Sequence, residues 1–71
     1  MTALTAEKRT RLQRAANRVE RACTAVINAA NHRAEFAAGT APRTRAEGSY
    51  RARETEYRAA LEAFAALVGE L

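Results

Sequence analysis

The sequence predicts an all-α fold: an antiparallel two-helix hairpin that self-associates into a four-helix bundle or a higher oligomer. Three observations carry this expectation. Residues 5 to 38 hold no Gly or Pro, and apolar and small residues recur through them at alternating steps of four and three, the period of one helix face. Gly39 and Pro42 interrupt that pattern. A second seam of the same period begins at Tyr50 and runs to the end of the chain. The 71 residues form one domain, with a first helix over about 5–38, a turn over 39–43 and a second helix over about 44–69.

In the first helix Thr5 suits the N-cap, because its hydroxyl can accept from a first-turn N–H. Glu7 follows near the positive end of the helix dipole. Thr2 is an alternative cap, and Met1 to Leu4 read as a lead-in. The seam is Leu12, Ala16, Val19, Cys23, Val26, Ala30, Arg33 and Ala37. Ala15, Ala22, Ala29 and Phe36 widen it on one side, and Ile27 and Ala34 on the other. A face this wide belongs to a bundle helix rather than to a strict two-stranded coiled coil.

Gly39 stands where a left-handed helix terminator is common, and Pro42 where a new helix often opens. Three starts fit the second helix: near Pro42, at Thr44 with the capping box Thr44-Arg45-Ala46-Glu47, or at Ser49 after the soft point Gly48. Beyond it the seam is Tyr50, Arg53, Tyr57, Ala60, Phe64, Leu67 and Leu71, flanked by Leu61 and Val68. A short turn makes the helices antiparallel, with residue i roughly opposite residue 82 minus i. Bulky Phe64 and Leu67 then face the small residues Ala15, Ala16 and Val19, a large-against-small match that fills a core.

The net charge of +4 is uneven: residues 1–38 carry all of it and residues 39–71 are neutral, with an acidic finish at Glu54, Glu56, Glu62 and Glu70. The hairpin register sets the basic start against that finish, a structural use for both. A chain this short buries little of its surface alone and relies on staples, regular packing or a partner. One cysteine excludes an internal disulfide, and Cys23 with His32 makes no closed zinc site. No metal or cofactor is expected. No signal-peptide core and no apolar run long enough for a membrane span is present. The expected protein is cytoplasmic, with no membrane partner. Its 19 Ala and many Arg point to a GC-rich bacterial or phage genome.

Two groups of residues are candidate working surfaces. Ile27, Tyr50, Tyr57, Leu61 and Val68 lie on or beside the seams, where one hairpin leaves them partly wet and a second layer would cover them. They are the expected interface with another copy or another protein. Arg11, Arg14, Arg18 and Arg21 form an outward stripe with Lys8 and Arg9 near its start, and Arg43, Arg45 and Arg51 gather near the turn. These are the candidate anion or nucleic-acid contacts. No aromatic is interleaved with the stripe, which argues against stacking on single strands, and no established nucleic-acid-binding motif is present.

No residues converge as a catalytic site requires, so the expected function is non-enzymatic. The first reading is a small protein-interaction module (adaptor, inhibitor or assembly factor) acting as a homo-oligomer. The second is a nucleic-acid-binding accessory protein using the basic stripe. The third is an oligomer that sequesters a small anionic ligand such as a nucleotide.

Overall fold

A computed structural model describes residues 4–71; the alternative cap Thr2 lies outside them. The chain forms two 29-residue helices, α1 (Ala6–Ala34) and α2 (Ala41–Gly69), packed against each other as a hairpin. Thr5 caps α1, its hydroxyl accepting from the Lys8 N–H at 3.1 Å.

α1 ends four residues earlier than its sequence pattern predicts, and α2 starts about three residues earlier. The local change is in the hydrogen-bond pattern. The N–H groups of Glu35 and Phe36 donate to the carbonyls of His32 and Arg33, three residues back, at 3.1 and 3.3 Å. This tightening closes the helix. The carbonyls of Phe36 and Ala37, which even a helix running through Ala38 would leave without an intrahelical donor, find partners in the turn. The Arg43 guanidinium takes that of Phe36 at 2.8 Å, and the Thr40 hydroxyl takes that of Ala37 at 2.7 Å. The good helix propensity of Ala37 and Ala38 yields to these contacts.

Gly39 consequently serves the turn rather than the helix terminus. It has φ 83° and precedes Thr40, whose N–H donates to Ala37 at 3.4 Å. In that four-residue turn it occupies the third position, where a type II geometry needs positive φ. Thr40 is the N-cap of α2, its hydroxyl accepting from the Arg43 N–H at 3.3 Å, and Pro42 lies in the first turn. Of the three starts, the one near Pro42 is adopted. Thr44 lies inside the helix with its hydroxyl donating to the Thr40 carbonyl at 3.2 Å, and Glu47 accepts from the Arg43 side chain at 3.3 Å. Neither acts in a capping box. The helix passes through Gly48 and Ser49 without a break.

The hairpin is a rod of 56 × 14 × 13 Å. Its radius of gyration is 16.4 Å, against about 11 Å for a compact domain of this length. Its accessible surface is 5341 Å², where a compact monomer of this mass has about 4,300 Å². Among the described residues only Ala46 and Ala60 are buried, at 4% and 0% exposure. The seam residues Leu12, Val19, Cys23, Val26, Tyr57, Phe64 and Leu67 are all half-buried. The register is close to that read from the sequence: Arg33 stands over Tyr50, and Phe64 borders one depression with Leu12 and Ala16.

Among the described residues no ion pair joins the helices. Four ion pairs form among the described residues: His32–Glu35, Arg43–Glu47, Arg53–Glu56 and Arg58–Glu54. Each is three or four residues apart along the chain, and none links α1 to α2. The expected pairing of basic start with acidic finish does not form among the described residues: Glu54 and Glu56 are held by Arg58 and Arg53 of their own helix, and Glu62 and Glu70 are exposed, as are Arg11, Arg14, Arg18 and Arg21. Arg53, expected on the seam, is exposed too and holds Glu56 at 3.0 and 2.9 Å.

Gly48 has ordinary helical φ, and a Cβ built on it meets nothing within 4 Å. Gly48→Ala therefore removes the helix-interior glycine penalty at no steric cost. It should stabilise the fold by about 0.5–1 kcal/mol, raising Tm by several degrees. Thermal unfolding followed by circular dichroism at matched protein concentration checks this.

Candidate interaction surfaces

The two sides of the rod differ. Ile27 lies fourteen residues from Gln13 on α1, two heptads along the same face. Leu61 and Val68 flank Phe64 on α2 at helical spacing. Gln13 and Phe64 border one depression together with Arg9, Leu12 and Ala16. Ile27, Leu61 and Val68 thus share one side of the hairpin, and they are 55%, 40% and 46% exposed. Tyr50 and Tyr57, each one heptad further along the Phe64 stripe, are half-buried at its edge. Next to Ile27, α1 presents Gln13, Thr24 and Asn31, with Arg9 and Glu20 the charges on that side. The Gln13 side-chain N–H donates to Asn17 Oδ1 at 3.0 Å.

The opposite side carries the arginine stripe. Arg18 and Arg21 border a depression with Ala22, Ala25 and Glu56. Further towards the turn, His32, Phe36, Pro42, Arg45, Ala46 and Ser49 line a second one. Arg11, Arg14, Arg18 and Arg21 are exposed and make no ion pair or side-chain hydrogen bond among the described residues. Arg9 is not part of the row, since it lies beside Gln13 and Phe64 on the other side.

The turn arginines do not converge. Arg43 is committed to the Phe36 carbonyl and to Glu47, so it holds the turn. Arg45 and Arg51 are both exposed, but residues six apart leave a 3.6-residue helix in different directions. Three arginines that are near in sequence therefore form no common pocket. The sequence pattern showed their closeness and not the task of Arg43.

One contact between the helices was not anticipated. The Arg33 guanidinium lies 4.1 Å from the centre of the Tyr50 ring. The Tyr50 hydroxyl donates to Glu54 Oε2 at 3.2 Å, and Glu54 Oε1 accepts from Arg58 at 3.2 Å. A chain of cation, ring, carboxylate and cation thus crosses from α1 to α2 near the turn. The signal for it was present: the register places Arg33 opposite residues 49–50. Nearby, the edge of His32 meets Phe36 with ring centres 5.1 Å apart and planes at 88°.

Cys23 is a half-buried free thiol on the seam, and His32, nine residues on, leaves the helix on the other side. No group of three or more His, Cys, Asp or Glu among the described residues could hold a metal ion. None of the described helices is long and apolar enough to cross a membrane.

The Arg33–Tyr50 contact is half-exposed, so its expected coupling is about 0.5–1 kcal/mol. A double-mutant cycle of Arg33→Met and Tyr50→Leu, read by urea unfolding, should return that coupling. A value indistinguishable from zero would reduce the contact to mere adjacency. Comparison of the chain with protein-family models, with curated proteins and with solved structures gives no match, so the placement of its own side chains carries the functional argument.

Proposed function

We propose that this chain is a small non-enzymatic protein-interaction module, an adaptor, inhibitor or assembly factor that works as a homo-oligomer, with hairpins pairing into a four-helix bundle. The observation that carries this reading is the side bearing Ile27, Leu61 and Val68, large apolar residues left exposed on a rod in which, among the described residues, two alanines are buried. Its accessible surface exceeds that of a compact monomer by about 1,000 Å². A face 56 Å long and 14 Å wide offers about 800 Å², which is what a standard interface takes from each partner. Covering three half-exposed side chains contributes roughly 1 kcal/mol each, and a twofold pairing doubles the number.

The non-enzymatic reading rests on the thinness of the molecule. Two helices enclose no interior into which reacting groups could be directed. The unpaired thiol of Cys23 fits a reducing compartment such as the cytoplasm.

Sedimentation equilibrium tests the proposal. The wild type should show a mass of two or more chains at micromolar concentration, with a Tm that rises with protein concentration. Leu61→Glu combined with Val68→Glu should lower the mass to that of one chain. A wild type that stays monomeric and fully helical at the highest concentration examined would overturn the self-associating part of the reading.

A further inference from the structure

The arginine row on the other side of α1 has no part in that association. Arg11, Arg14, Arg18 and Arg21 are exposed, and among the described residues none forms an ion pair with a carboxylate, whereas Arg43, Arg53 and Arg58 each hold one. Two acidic residues border the row without pairing to it: Glu7 at its N-terminal end and Glu56 across the depression beside Arg18 and Arg21. The row occupies ten residues of continuous helix, about 15 Å at 1.5 Å per residue. That is the axial length of roughly four phosphates of one strand of a duplex, at about 3.4 Å each. A rigid helix holds the four forks along one line, and a guanidinium matches phosphate geometry.

We propose that this row is a binding surface for the phosphate backbone of double-stranded nucleic acid, engaged without sequence preference. The neighbours of the row decide between anionic partners. Ala15, Ala22 and Ala25 stand beside it; the large apolar side chains on that side, Leu4 and Phe36, lie beyond its two ends, seven and fifteen residues away, and do not form the continuous apolar face that a membrane-surface helix requires. No aromatic residue is interleaved with the four arginines to stack on unpaired bases. Cations on a straight, small-residue surface fit a regular polyanion. Since Ile27, Leu61 and Val68 lie on the other side, a hairpin bound to a duplex keeps its apolar face available.

Fluorescence anisotropy with the full chain and labelled duplexes of about 20 base pairs in two unrelated sequences tests this. Both duplexes should bind alike. With four phosphates neutralised, affinity should fall roughly 100-fold between about 50 and 200 mM salt. Arg14→Glu with Arg18→Glu should abolish binding while circular dichroism shows helicity retained. Arg9→Glu with Arg51→Glu makes the same change in net charge off that side of the rod and should leave binding within a few-fold of wild type. Four results would overturn the proposal: no duplex binding at 50 mM salt, equal loss in the two charge-reversed variants, tighter binding to a single strand, or binding to phosphatidylserine vesicles in place of duplex.

Discussion

Two helices packed side by side touch along a line, and every residue on that line keeps one flank towards water. This constraint runs through the whole molecule. It explains why Ala60, one of the smallest side chains, is fully enclosed while Phe64 and Leu67 on the same seam are only half-covered. A small residue fits beneath its neighbours; a ring standing in a single groove projects beyond it. The alanines and Val19 of α1 let the two backbones come close, but closeness does not supply a second layer. The rod has regular secondary structure throughout and very little interior.

Where apolar burial is thin, particular contacts matter more. At the turn, Thr40 and Arg43 satisfy the carbonyls of Ala37 and Phe36 beyond the end of α1, and Gly39 supplies a positive φ that other residues resist. Close by, Arg33 lies on Tyr50. The four ion pairs belong to a different category, because each joins residues within one helix or at its end. Separating the helices would leave them intact. They favour helix over coil and do not favour hairpin over two open helices.

The helical pattern of the chain was legible because it repeats. Leu12 to Ala30 and Tyr57 to Leu67 carry the seam many times over, so no single residue decides it. The turn was harder, since it depends on side chains that act once. Pattern alone extended α1 through Ala37 and Ala38; the helix in fact ends where the N–H groups of Glu35 and Phe36 turn to carbonyls three residues back, and Arg43 holds the Phe36 carbonyl beyond that point. The separation of the two surfaces was half legible. Heptad positions put Arg11 to Arg21 away from Ile27, but joining Ile27 on one helix to Leu61 and Val68 on the other required the relative rotation of the helices. The absence of cross-helix ion pairs had a similar origin: net charge by segment ignores the direction in which each side chain leaves its helix.

The brevity of residues 35–40 has a consequence for topology. The contacts of Leu12, Ala16 and Val19 with α2 are indifferent to whether that α2 belongs to the same chain. A second copy presents the same Phe64 and Leu67 in the same orientation, so the seam specifies a pairing of helices without specifying ownership. That choice falls to the segment containing Gly39 and Thr40 and to the Arg43 clip beside it. In this chain the information for which helices pair is spread over two long stretches, while the information for whose helices they are is concentrated in a few residues at one end of the rod.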